Sequence, residues 1–181
     1  MKKFAADNLL FLRDHYPEIY KIVRNKFYNR ERVRIVQARN NQANLIIRNH
    51  DGTEQYLYSR YNPGQEAEKW LQSINDKLEG KDNVLLYGFG LGYHVQAILT
   101  NYPEKKLFIY EPNLEVILAA IECCDLRQVL GSKQIKIFAI GDDPIIQRGM
   151  IIHTLKSISG SIEQAVIPTY KKMNPERVKE F

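Results

Sequence analysis

The chain has 181 residues, a net charge of +5, 44% apolar and 26% charged side chains, with seven Phe and eleven Tyr. That is enough to bury one core without a disulfide or metal staple, and too apolar and aromatic for a disordered chain. No run approaches ~20 uninterrupted apolar residues, so no transmembrane helix is predicted.

The start, Met1-Lys2-Lys3-Phe4, is followed by Asp7, Asn8, Arg13 and Asp14 with no clean apolar h-region, which is a poor signal peptide. The two cysteines, Cys123 and Cys124, are adjacent. A vicinal pair is a poor structural disulfide, and without a Cys-x-x-Cys or Cys/His cluster it is no zinc site. A cytoplasmic, reduced, soluble protein is expected. The charge is uneven: residues 1–60 hold twelve Lys/Arg against six Asp/Glu, and the remainder fourteen against fifteen. The densest run is Arg24, Lys26, Arg30, Arg32, Arg34 and Arg39. It could be a footprint for phosphates or an acidic partner. A solvated hairpin face with Lys/Arg guarding an edge strand is the commoner cause, so nucleic acid is not expected as a partner.

Residues 4–28 carry helical spacing in Leu9, Leu12, Ile19, Tyr20 and Val23, and Pro17 starts a second helix at its first turn. Residues 33–39 alternate like a half-buried strand. Asn40-Asn41-Gln42 is a turn, Ala43–Arg48 a second strand, Asp51-Gly52 a hairpin turn, and Gln55–Ser59 a third strand. Residues 1–62 therefore read as a helical pair and a three-stranded antiparallel meander. Pro63–Gly80 reads as one helix, with Ala67, Trp70, Leu71, Ile74 and Leu78 on one face. Strand and helix then alternate. Strands are predicted at Asn83–Tyr87, Lys106–Tyr110, Gln134–Ile140 and Glu163–Ile167. Helices are predicted at Gly92–Asn101, Leu114–Cys123, Asp125–Leu130 and Pro144–Lys156. This order implies a parallel sheet with helices on both faces, an α/β Rossmann-like (methyltransferase-like) domain over residues 63–181. Four parallel strands are few for such a sheet, which suggests a small sheet or the front part of a longer protein.

The strongest local signal is Leu85-Leu86-Tyr87-Gly88-Phe89-Gly90-Leu91-Gly92, a buried strand entering a glycine-rich turn and then a helix. Glycines let backbone approach a ligand, and a helix N-terminus offers free N–H groups. The dinucleotide fingerprint would want glycine at Tyr93, which shifts the pattern from NAD toward the S-adenosylmethionine type of turn. Glu111 ends the next strand, where an acid would take the two hydroxyls of a ribose. Asp142, in Gly141-Asp142-Asp143, ends the third, where such folds touch adenine. Gly88, Gly90, Gly92, Glu111 and Asp142 are thus the candidate cofactor-binding residues. The ligand would be S-adenosylmethionine or a nucleotide, and an empty crevice is an equal alternative. Two steps before Gly88 a methyltransferase normally has an acid, and this chain has Leu86. On the bland reading the glycines only permit tight packing, Glu111 caps the next helix, and Asp142 or Asp143 caps the helix from Pro144. His94 could act as a base or bind phosphate, but a helix-start histidine bonded to backbone is commoner. The histidines His15, His50, His94 and His153 are scattered, and no nucleophilic triad is readable. Tyr56, Tyr58 and Tyr61 alternate near basic residues. Packing on a neighbouring helix is preferred there to stacking on bases.

Three blocks carry a resemblance: Tyr58-Ser59-Arg60-Tyr61-Asn62-Pro63 with Glu66-Ala67, then Gly88-Phe89-Gly90-Leu91-Gly92-Tyr93-His94, then Glu111-Pro112-Asn113. Together they resemble the N-terminal domain of the motility accessory factor (Maf-type) glycosyltransferases, implicated in attaching nonulosonic acid sugars to flagellin. The resemblance implies a bacterial, motility-associated accessory domain. Its partners would be flagellin or its chaperone, or a downstream catalytic domain; a homo-oligomer stays open. The family places sugar transfer in a central domain with a Gly-Pro-Ser motif. That motif does not occur here, so no catalytic residue is carried over and the chain alone is expected to be inactive. Two alternatives stand beside it: a small-molecule methyltransferase using S-adenosylmethionine, against which Leu86 speaks, and a bare protein-interaction module.

Overall fold

A computed structural model describes residues 4–49, 51–173 and 175–181. Met1–Lys3, His50 and Asn174 lie outside the described residues. Helices α1 (Ala5–His15) and α2 (Pro17–Val23) open the chain, with Pro17 in the first turn of α2. Strands β1 (Val33–Gln37), β2 (Ala43–Arg48) and β3 (Glu54–Tyr56) form an antiparallel meander. Val33 pairs with Ile47 and Ile46 with Tyr56. The third strand is shorter than its sequence pattern predicts. Beyond Tyr56 the buried Asn44 side chain replaces part of the ladder. Its Nδ2 donates to the carbonyls of Tyr58 and Ser59, both at 3.0 Å, and its Oδ1 accepts from Tyr58 N–H at 3.1 Å. The chain is thereby turned so that Tyr58 enters the interior.

The helix predicted from Pro63 is broken into α3 (Pro63–Ser73) and α4 (Asn75–Leu78) at Ile74 (φ −115°, ψ 7°), whose N–H bonds back into the last turn of α3. Asn62 caps α3, its side chain accepting from Gln65 N–H at 2.9 Å. Four parallel strands follow: β4 (Asn83–Tyr87), β5 (Lys106–Glu111), β6 (Ile135–Ile140) and β7 (Ile162–Val166), in spatial order β6-β5-β4-β7. They are linked by α5 (Tyr93–Asn101), by α6 (Leu114–Cys123) with the short α7 (Arg127–Leu130), and by α8 (Pro144–Ser157). Right-handed crossovers in that order carry α5 and α6 over one face and α8 over the other. The strand order reverses at β4, so the crevice of an open α/β sheet falls between the ends of β4 and β7. The four-stranded parallel sheet is therefore the one that the alternating pattern implies.

Two short helices, α9 (Pro168–Met173) and α10 (Pro175–Glu180), follow the last strand. They are not apparent in the sequence: each is a single six-residue piece opened by a proline, too short to show a period. Helix α6 is buried from Val116 to Glu122, not only along the predicted Leu114, Ile117, Leu118 and Ile121 stripe. It packs against both α1 and β1 on the side away from the sheet. Asn8 fixes that contact: buried on α1, it donates to the carbonyls of Ile121 (2.9 Å) and Cys124 (2.7 Å) and accepts from Leu126 N–H (3.0 Å). One hydrophobic core runs from Leu12 through Leu45, Leu71, Leu86 and Ile109 to Tyr170, joining the helical pair and meander to the sheet. No helix among the described residues is long and apolar enough to cross a membrane.

Candidate functional site

The glycine turn is where the sequence places it, between β4 and α5. Gly88, Gly90 and Gly92 have φ of 97°, 61° and 90°, the left-handed region that glycine alone enters freely. Two of them are also short of space. A Cβ on Gly88 would lie 2.8 Å from the Tyr170 ring, and one on Gly90 would lie 2.0 Å from the Tyr58 hydroxyl.

The atoms that crowd the turn come from the chain itself. Glu111, the last residue of β5, is fully buried. Its Oε2 accepts from the N–H groups of Phe89 and Gly90, both at 2.8 Å, and from the Tyr170 hydroxyl at 2.5 Å. Its Oε1 accepts from Asn113 N–H at 2.8 Å. The next amide of the turn, Leu91 N–H, donates to the Tyr58 hydroxyl at 2.8 Å. Gly88 N–H donates to the Tyr110 carbonyl at 2.8 Å as the ladder ends. Backbone donors that could cradle an anion therefore converge on a carboxylate supplied by the neighbouring strand. Burial pushes the Glu111 carboxyl up from its usual range, and the donors at Gly90, Tyr170, Phe89 and Asn113 work against that shift. Tyr58 and Tyr170 are pushed well above the ordinary tyrosine value, first by burial. Both remain neutral phenols at neutral pH, and Tyr170 donates to the carboxylate.

Gly88, Gly90, Gly92 and Glu111 are thus brought together. A ribose at Glu111 would have to displace four protein donors. Tyr170, on α9 just after β7, stands in the switch-point crevice itself. Asp142 is separate: it is exposed at the end of β6, and its carbonyl accepts from the Arg177 guanidinium. Of the caps expected, the one at Pro144 falls to Asp143, the second of the two aspartates offered for it, and the one at Leu114 falls to Asn113 in place of Glu111. Asn113 caps α6, accepting from Glu115 N–H at 3.0 Å, and Asp143 caps α8, accepting from Ile145 N–H at 2.8 Å. Glu111 binds the N–H of a cap residue, a step removed from the capping role considered for it.

His94 is 1% exposed, stacked on Tyr58 at 5.6 Å and edge-on to Trp70 at 4.8 Å. Neither ring nitrogen has a hydrogen-bond partner among the described residues, so it is not the backbone-bonded helix-start histidine that the sequence favours. Burial lowers its pKa to about 3, which keeps it neutral. Cys123 and Cys124 are free, half-buried thiols with their Sγ atoms 3.6 Å apart. Of the three tyrosines near basic residues, Tyr58 is interior, whereas Tyr61 is 59% exposed beneath the Arg39 guanidinium (4.5 Å) and Tyr56 lies beneath that of Arg60 (5.1 Å). Among the described residues no group of three or more His, Cys, Asp or Glu could hold a metal ion.

Sequence reasoning missed Tyr170 and Tyr58 as parts of the turn. Tyr58 opens the Tyr58–Pro63 segment, but nothing in its spacing distinguishes it from Tyr56 and Tyr61. An open groove of about 1120 Å³ also escaped notice, running from Arg32 and Arg48 on the meander past Asn113 to Asp142 and Arg177.

The sheet order, the glycine turn after its first strand and the acid closing its second define an α/β Rossmann-like domain whose turn is closed on its own chain. The family model of the glycosyltransferase Maf N-terminal domain matches residues 65–159, just over half the chain. The chain belongs to that family. No curated protein matches it.

Proposed function

We propose that this chain is the accessory domain of a motility-associated Maf glycosyltransferase, one that supports or presents the catalytic part and transfers no sugar itself. The observation that carries this reading is the engagement of the glycine-turn amides by Glu111 and Tyr58. In a cofactor-using Rossmann-like domain those N–H groups face the ligand. Here a carboxylate, the group a ligand would otherwise bring, is built in, and four residues hold it at 2.5–2.8 Å. Such a turn stabilises a rigid platform on which the meander, the sheet ends and α9 converge. The sequence has no Gly-Pro-Ser, the motif that the family places in its nucleotide-sugar domain. Flagellin, or a catalytic domain of the same protein, is the partner that this role requires.

The test is transfer itself. The chain is incubated with flagellin and an activated nonulosonic acid, and the flagellin mass is measured. The expected result is unmodified flagellin. A glycan mass on flagellin overturns the reading.

A further inference from the structure

The carboxyl ends of β4 and β5 are capped by an aromatic side chain that is only lightly held. Tyr87 and Tyr110 pair in register as neighbours across β4 and β5, so they share a face of the sheet, the one opposite to Glu111. The Phe181 ring lies over them, edge-on to Tyr87 at 4.8 Å and 73°, and stacked on Tyr110 at 6.2 Å and 17°. The Tyr110 hydroxyl donates to the Gly141 carbonyl at 2.5 Å. The Tyr87 hydroxyl, equally buried, has no hydrogen-bond partner among the described residues. A buried hydroxyl without a partner is unfavourable, and a phenyl ring beside it cannot help.

The segment that delivers Phe181 is weakly anchored. Helix α10 has no buried residue. Among the described residues its ties to the body are the Arg177 guanidinium on the Asp142 carbonyl, the Gln147 amide on the Arg177 carbonyl at 3.2 Å, the partly buried Val178 packed against the core, and its contact with α9. Phe181 itself is only half-buried. Arg177 also lines the open groove, whose walls carry Arg32, Arg48 and Lys172 together with Glu31, Asp51, Glu115 and Asp142.

We propose that the niche walled by Tyr87 and Tyr110 is a binding site for a heteroaromatic ring of the nucleobase class, and that Phe181 is the chain's own occupant, displaced when that ligand enters. A base has the flat face that stacks on Tyr110 and the polar edge that the Tyr87 hydroxyl lacks. The groove that Arg177 lines sets Glu31, Asp51, Glu115 and Asp142 against its four cations, so recognition rests on the ring and not on a phosphate. Displacing Phe181 lowers the apparent affinity by the factor that the arrangement with Phe181 on the two tyrosines is favoured over the one without it. The proposal does not depend on the accessory role, since a domain can hold a nucleotide without transferring a group.

The four ribonucleoside monophosphates are titrated calorimetrically into the full chain, into Phe181→Ala and into Phe181→Leu, with ribose phosphate as the ringless control. At least one nucleotide should bind both variants about tenfold or more tighter than it binds wild type. Ribose phosphate should gain nothing. Adding Tyr87→Phe to Phe181→Ala should weaken that nucleotide by roughly three- to tenfold, with the circular dichroism spectrum unchanged. In wild type saturated with that nucleotide, the nuclear Overhauser contacts of Phe181 to Tyr87 and Tyr110 should vanish. The proposal is overturned by silence from all four nucleotides at about 5 mM with both folded variants. It is equally overturned by an equal gain for ribose phosphate, by indifference to Tyr87→Phe, or by Phe181 contacts that persist at saturation.

Discussion

Removing the Glu111 carboxylate should destabilise the domain by about 3–5 kcal/mol. Four donors face it: the N–H groups of Phe89, Gly90 and Asn113, and the Tyr170 hydroxyl. Each buried donor left without an acceptor costs roughly 1–3 kcal/mol. The sum is an upper bound, because water entering the space left by Glu111→Ala satisfies part of the set, and because burial of the charge is relieved. Glu111→Gln is the sharper probe. A carboxamide keeps one acceptor and turns an N–H₂ group toward the donors on the other side, so about 2 kcal/mol should still be lost with little change in volume. Urea denaturation followed by tryptophan fluorescence reads both. Their midpoints should fall in that order, with slopes unchanged. The pH dependence has a defined sign. Burial raises the folded-state value of Glu111 above that of the unfolded chain, so its contribution is fully present below the unfolded carboxyl range. That contribution is lost as pH rises through the folded value. Over that window the stability margin of wild type over Glu111→Gln should shrink with rising pH. A Glu111→Gln midpoint equal to that of wild type, or a margin that widens as pH rises through the window, would refute the account of the turn.

Gly90→Ala should cost about 2–4 kcal/mol, since φ is 61° and the new Cβ meets the Tyr58 hydroxyl. Tyr58→Phe alone should cost about 1–2 kcal/mol by orphaning Leu91 N–H. The double variant should be less destabilised than the sum, and strict additivity in denaturant midpoints would show that the two positions do not collide. His94→Leu should leave stability at neutral pH unchanged or raise it by ~1 kcal/mol, because it replaces two unpartnered ring nitrogens with apolar surface. Burial depresses the His94 pKa to about 3, so its contribution is present above the unfolded histidine value and is lost as pH falls toward 3. Thermal melts across that range should fall less steeply for His94→Leu than for wild type, and identical slopes would place the acid sensitivity elsewhere.

Alternation of apolar strands with amphipathic helices was enough to determine the parallel sheet, because short-range periodicity reports which faces are buried. The positions of Gly88, Gly90 and Gly92 were legible for a similar reason: a strand running directly into a helix needs residues that accept positive φ. The role of Glu111 was not legible. Its place at a strand end is the same whether the carboxylate waits for a ribose or binds the turn beside it. The choice depends on Tyr170, 59 positions further along the chain, and on Tyr58, 33 positions before the Leu91 amide that it accepts from. Contacts over such separations leave no periodic trace. Nor could the sequence show that His94 would be sealed between Tyr58 and Trp70, or that Phe181 would lie on Tyr87 and Tyr110, because each depends on where separate elements meet after the sheet has formed. Local pattern set the elements and the turn; packing between distant segments decided that the turn closes on its own chain.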